Sequence, residues 1–99
     1  MLVENIIDVV SRYFKLDTDQ ITNRKGCNSS ARKLAIFLSG KHCRKSSTVT
    51  LLAKQFGLKI SEFNSEEYKF ELKLKSEKKL QKVINELEKM LELHKNIKT

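Results

Sequence analysis

Two cysteines and two histidines are the residues of this chain that could bind a transition metal or act as nucleophile and base. They are Cys27, His42, Cys43 and His94. His42 and Cys43 are adjacent, and no pair among the four has the short separation typical of zinc ligands. No serine or cysteine stands in a pattern that marks an activated nucleophile, and there is no glycine-rich phosphate loop. The sequence predicts no metal and no cofactor, and it favours a binding protein over an enzyme.

Positive charge is the stronger chemical signal. The 99 residues carry a net charge of +8 with a pI of about 9.6. Such an excess favours a polyanionic partner, with nucleic acid ahead of an anionic membrane surface. Residues 1–60 contain 11 Lys and Arg against 4 acidic residues, a net charge of +7, whereas residues 61–99 carry +1. The first three fifths of the chain are therefore expected to form the positive surface.

The basic residues of this part cluster at predicted loops and helix starts, where side chains and backbone N–H groups can bind phosphate. The candidates for DNA backbone contacts are Arg24, Lys25, Arg32, Lys33, Arg44, Lys45 and Ser47. The alternative is a solvated basic surface without a ligand. No helix combines a bulky aromatic face with a basic one, which counts against binding to a membrane surface.

The pattern of apolar residues predicts an all-α, compact single domain of five helices over residues 1–99. We expect helices over about 2–14, 31–38, 48–56 and 61–75, and a longest helix after Ser76 that frays at about 95–99. Residues 15–30 form a polar loop, Gly40 stops the second helix, and Gly57 ends the third. Ser61 or Asn64 caps the fourth helix and Ser76 caps the fifth.

The N-terminal residues and the number of cysteines indicate the cellular compartment. Residues 1–10 have no basic start and no cleavage site of a secretory signal, and two cysteines are too few for a disulfide framework. No apolar run approaches the roughly 20 residues that span a bilayer. We expect a cytoplasmic, nucleoid-associated protein.

Residues 49–66 have the pattern of a helix-turn-helix. Ala53 is small where the two helices must cross, and Gly57 can take the positive φ of the tight turn. Apolar residues flank the turn at Leu52, Phe56, Leu58 and Phe63. The next apolar position of the pattern falls on Glu66, so a plain αα-hairpin is the alternative.

The second helix of this unit is acidic, which opposes its use in the major groove. Its carboxylates are Glu62, Glu66, Glu67 and Glu71. They would be repelled by phosphates unless they face away from the DNA or accept from cytosine amino groups. Lys59, Ser61 and Asn64 at the helix start are the candidates for contacts in the groove.

The order of these segments resembles a known family. The apolar stretch at 6–14, the basic pair Arg24 and Lys25, the run at 31–38 and the unit at 47–63 resemble the C-terminal DNA-binding domain of the replication initiator DnaA. The related domain of REP-associated tyrosine transposases is similar as well, with its "FG" turn at Phe56 and Gly57 and its charged final helix. The resemblance implies a Trp repressor-like fold that binds double-stranded DNA. It also implies minor-groove contacts from the basic pair and a phosphate contact from Arg32.

Two departures limit what the resemblance implies. Residues 59–66 do not carry the initiator's recognition signature, so binding to the initiator's own sites is not expected. The catalytic tyrosine domain of the transposases lies outside this chain.

Two further roles stay open from the sequence. The acidic fourth helix and the apolar final helix could instead belong to a protein-interaction or regulatory module that does not bind DNA. The apolar stripe of the final helix, from Leu80 to His94, could pack on the first helices or form the seam of a homodimer. Packing within the chain is the favoured role, because a small domain needs that apolar face.

Overall fold

Six α-helices make up the described part of the chain. The structure, a computed structural model, describes residues 2–23, 29–44 and 48–98. The helices are α1 (Val3–Phe14), α2 (Asp19–Thr22), α3 (Ser29–His42), α4 (Val49–Gln55), α5 (Ile60–Ser76) and α6 (Lys78–Lys98). These ranges contain no strand, so the predicted all-α fold is confirmed. The radius of gyration of 12.6 Å is that of a compact domain, for which about 13 Å is typical at 100 residues.

α1 forms where the apolar pattern predicted it. Val3, Ile6 and Val10 recur three and four residues apart and are buried, and the helix packs on α3 and α6. It ends at Lys15, whose φ is 55°. The N–H of Leu16 there donates to the carbonyl of Ser11 at 2.8 Å, which satisfies a carbonyl that the helix end would otherwise leave unpaired.

α2 is a helix that the sequence analysis missed, because residues 15–30 were expected to be a loop. One helical turn forms as the carbonyl of Thr18 accepts from the N–H groups of Ile21 and Thr22, both at 3.0 Å. Ile21 is fully buried against the core. Burial of this one side chain against α3 stabilises a turn that is too short to be stable alone.

α3 is the central helix, and it is longer than predicted. It packs on α1, α2, α4 and α5 and buries side chains around most of its circumference, as a helix inside a small core must. The predicted stop at Gly40 is wrong, since the helix continues to His42. A Cβ at Gly40 would overlap the carboxylate of Glu67 on α5. A larger residue here would push this carboxylate aside, so Gly40 leaves the space in which the Glu67 carboxylate lies.

α4 and α5 form the predicted helix pair around a tight turn. Thr48 caps α4 by accepting from the N–H of Leu51 at 3.3 Å. Gly57 has a φ of 67°, and the N–H of Leu58 donates to the carbonyl of Ala53 at 2.9 Å. The residues expected at the crossing, Leu52, Ala53, Phe56 and Phe63, are all buried. This hydrogen-bonded helix end fixes the direction in which the chain enters α5.

The caps of α5 and α6 differ from the prediction. α5 begins at Ile60 with Lys59 as its N-cap, and the N–H of Lys59 donates to Oε1 of Glu62 at 3.0 Å. Ser61 and Asn64 therefore lie inside the helix and do not cap it. Ser76 is the last residue of α5 and does not cap α6, because its hydroxyl donates back to the carbonyl of Lys73 at 3.1 Å.

α6 packs on α1 and α5 and closes the core. Its apolar stripe, with Ile84, Leu87 and Leu91, is buried, which is the favoured role of the stripe. A homodimer through this helix would need its other faces, and it stays a prediction. No described helix combines the length and the apolar character that crossing a membrane requires.

Polar contacts fasten α6 to α1 and α3. The hydroxyl of Tyr13 donates to Glu86 at 2.5 Å, and Glu88 pairs with Lys41 at 3.0 Å and with His42 at 2.8 Å. Burial alone would raise the pKa of Glu88, but the hydrogen bonds from Lys41 and His42 lower it overall. The pairing therefore favours the charged carboxylate.

Candidate nucleic-acid interface

The residues predicted to contact DNA fall into three groups. Four of them lie outside the described residues: Arg24, Lys25, Lys45 and Ser47. One residue, Arg32, is buried in the fold. The remaining five are exposed on α5 or beside it: Lys33, Arg44, Lys59, Ser61 and Asn64. The second helix of the α4–α5 pair is thus the element around which the described candidates assemble.

Arg32 is 7% exposed, and its guanidinium is turned into the protein. Nη1 donates to the carbonyls of Ile21 at 3.1 Å and Thr22 at 2.8 Å, and Nη2 donates to the carbonyl of Phe56. These carbonyls lie at the C-terminal ends of α2 and α4, where the helix dipole favours a cation. The expected phosphate contact of Arg32 is corrected to a structural role, which holds α2 to the turn before α5.

The outer face of α5 carries no charge over its first three turns. Ser61, Ser65, Tyr68 and Leu72 are spaced by four, three and four residues and are exposed, with Asn64 beside them. This spacing places them in one row along the helix. Phe63 and Phe70 lie on the opposite side and are buried in the core. A row of hydroxyl, phenol and leucine side chains, with an amide beside it, therefore lies at the centre of the exposed side of α5, and the exposed Lys75 continues it in the last turn.

The four glutamates of α5 lie on its flanks and not in this row. Glu62 and Glu66 share one flank with Lys69, and Glu67 and Glu71 share the other, as the helical repeat requires. Glu62 accepts from the N–H of Lys59, and Glu67 is ion-paired with Arg44. The glutamates that opposed the use of α5 in the major groove consequently do not lie on its outer face.

Arg44 marks the flank of α5 that faces the end of α3. Its Nη2 donates to Oε1 of Glu67 and lies 3.4 Å from Oδ1 of Asn64. The Glu67 carboxylate rests over Gly40, and this burial raises its pKa while the cation of Arg44 opposes the rise. Arg44 is thus positioned beside the first turns of α5, with its charge partly compensated.

The opposite flank of α5 forms a cleft with the start of α3. The cleft has a volume of about 100 Å³ and is lined by Lys33, Glu66, Lys69, Phe70 and Lys73. We call it the lysine cleft. Lys69 and Lys73 were missed by the sequence analysis, which counted charge by segment. The four-residue separation of Lys69 and Lys73 places them on one face of the helix, which the sequence could have indicated. The approach of Lys33 depends on the tertiary packing of α3 on α5.

The candidate metal ligands do not assemble in the part of the chain that is described. No group of three or more His, Cys, Asp or Glu side chains is close enough there to hold a metal ion. Cys43 lies in the core, and burial raises the pKa of its thiol. His42 pairs with Glu88 of α6, on the side of α3 opposite to the one that packs on α5. Cys27 and the side chain of His94 lie outside the described residues.

No known protein family, no curated protein and no solved structure matches this chain. The case for a function therefore depends on the charges and contacts around α5.

Proposed function

We propose that this chain binds duplex DNA, with α5 as the helix that enters the major groove. The observation that carries the proposal is the uncharged polar row of α5 from Ser61 to Leu72, with the lysine cleft on one side of it and Arg44 on the other. A helix with its side chains is about 10–12 Å across, and the major groove is about 12 Å wide with a phosphate backbone on each side. A helix seated there needs neutral groups towards the bases and cations towards both strands.

Each side of α5 supplies such cations. Lys33, Lys69 and Lys73 line one flank, and Arg44 lies at the other. Lys59 precedes the first turn and is exposed. The basic residues outside the described ranges, Arg24, Lys25, Lys45 and Ser47, stay predicted backbone contacts. Lysine and arginine contacts to phosphate supply affinity without sequence information.

Base contacts are assigned to the outer face of α5. The amide of Asn64 can pair with an adenine edge, and the hydroxyls of Ser61 and Ser65 can donate to or accept from any base. Leu72 offers an apolar surface of the kind that contacts a thymine methyl group. The resemblance to the DnaA and transposase domains supports the same placement. It extends the proposal to the DNA-binding part of a transposase or an initiator-like protein.

A fluorescence-anisotropy titration with random and palindromic duplexes tests this function. We expect saturable binding at low salt. The affinity should fall about a hundredfold between about 50 and 200 mM salt if the four lysines beside α5 each contact one phosphate. Absence of binding to any duplex at the lower salt would reject the proposal.

A protein-interaction module is the second candidate, and one observation favours it. Tyr68 and Leu72 are 63% and 48% exposed in the middle of the outer face of α5. Exposed aromatic and leucine side chains on one helix face are common in protein interfaces. Recovery of a protein partner through this face, together with no duplex binding at low salt, would decide for this candidate.

A further inference from the structure

The lysine cleft has more positive charge than the protein itself compensates. Three ammonium groups and one carboxylate line it, and Phe70, which is buried, contributes an apolar wall. Among the described residues, no carboxylate oxygen lies within ion-pair distance of Lys33, Lys69 or Lys73. Two cations elsewhere on the protein do have such partners, since Arg44 pairs with Glu67 and Lys41 pairs with Glu88.

The arrangement suits an anion that carries several oxygens. Each lysine offers three N–H donors and no acceptor, and the three come from two helices to one cleft of about 100 Å³. Glu66 leaves a net charge of +2 there, which an inorganic phosphate dianion or two adjacent phosphodiester groups of a DNA strand would neutralise. A carboxylate ligand would bring one negative charge and two oxygens, and so would use fewer of the donors.

We infer that the lysine cleft is a phosphate-binding site, and that in the complex it holds adjacent backbone phosphates of one DNA strand. The assignment of the phosphate to DNA rests on the proposed function. The site itself does not depend on it, because the same cleft would take an inorganic phosphate or pyrophosphate. Phe70 packs against Phe37 with ring centroids 4.9 Å apart, which fixes α5 against α3 and keeps the three lysines at one place.

The carboxylate of Glu66 repels an anion bound in this cleft and so lowers its affinity. It is half-buried and precedes Lys69 by one helical turn, so its carboxylate lowers the positive potential of the cleft. Glu66→Gln keeps the shape and removes the charge. Phosphate and duplex should then bind about threefold more tightly, as expected for removal of one like charge at roughly 6 Å in water. A gain in affinity also separates the effect from any loss of folding.

Anisotropy titrations of two variants with equal loss of charge test whether the phosphate bound in the lysine cleft belongs to DNA. Lys69→Gln with Lys73→Gln alters the cleft, whereas Lys82→Gln with Lys89→Gln alters exposed positions of α6. We expect the cleft variant to bind about tenfold more weakly and to lower the salt slope by about 2, the loss of two phosphate contacts. The α6 variant should keep the wild-type slope. Equal salt slopes in the two variants would overturn the assignment of a DNA phosphate to the lysine cleft, while DNA binding itself would stand.

The site alone is tested by titrating the full chain with inorganic pyrophosphate and following backbone amide resonances by NMR. We expect saturable shifts at residues 33, 66, 69, 70 and 73 that are lost in the Lys69→Gln, Lys73→Gln variant. If the wild type binds no duplex but shows these shifts, the phosphate site stands and only the DNA function is rejected. Their absence as well would overturn both.

Discussion

Replacing Arg32 by methionine is expected to lower the free energy of unfolding by about 3–5 kcal/mol, because each buried carbonyl left without its donor costs about 1–3 kcal/mol. Methionine has a similar length and no donor, so the carbonyls of Ile21, Thr22 and Phe56 lose the guanidinium that they share. In a domain of this size the melting temperature should fall by about 15 °C or more. Arg32→Lys should give an intermediate loss, because one ammonium cannot reproduce the forked geometry.

The matched control is Lys33→Met, one residue further along α3. It removes the same charge and introduces the same side chain, but at an exposed position. Its free energy of unfolding should change by no more than about 0.5 kcal/mol. Urea unfolding followed by circular dichroism compares the two variants. Equal midpoints would show that Arg32 does not hold α2 to the turn before α5.

Introducing two carboxylates on the outer face of α5 is expected to reduce duplex affinity by about a hundredfold or more. In Ser61→Glu with Ser65→Glu, both new charges point away from the core, between the lysine cleft and Arg44. Each would face phosphates of both strands at a cost of about 1–2 kcal/mol. The helix should keep its stability, because both serines are exposed and a glutamate in the first turn is favoured by the helix dipole.

A control for total charge is available on α6. Gln81 and Asn85 are exposed, are also four residues apart, and are hydrogen-bonded to each other at 3.0 Å. Gln81→Glu with Asn85→Glu adds the same two charges far from the α5 face. Anisotropy titrations at low salt should show less than about a tenfold loss for this variant. A similar loss in both variants would mean that net charge, and not α5, governs binding.

The helix pair around Gly57 was predictable because its signals are local. A small residue, a glycine and apolar neighbours at fixed offsets describe a crossing and a turn that the backbone itself enforces. The structure confirms each of them: Ala53 is buried, Gly57 has a positive φ, and Phe56 and Phe63 pack 6.4 Å apart.

The roles of Gly40 and Arg32 were not predictable from local pattern. Glycine stops many helices, but at position 40 it admits a carboxylate from α5, which lies 27 residues away in sequence at Glu67. Arg32 sits among cationic neighbours in the chain, yet it is matched to carbonyls of α2 and of the turn after α4. Both depend on elements brought together only by tertiary packing, against which local propensity is a weak guide.

The candidate site was predictable in part. Ser61 and Asn64 lie near the exposed face, as the sequence indicated. The objection from the four glutamates depended on whether they face away from the DNA, and the helical repeat separates them from Ser65 and Tyr68. The lysine cleft was out of reach, because it needs the start of α3 to lie against the middle of α5.

We expect DNA to contact α5 on its outer face, and an NMR titration of the full chain with a duplex can locate that contact. Backbone amide shifts should concentrate at residues 59–73, with a second set around residue 33. Amides of α6 that surround the buried Leu87 should stay unchanged. Shifts confined to α1 and α6, or no shifts at low salt, would contradict the account.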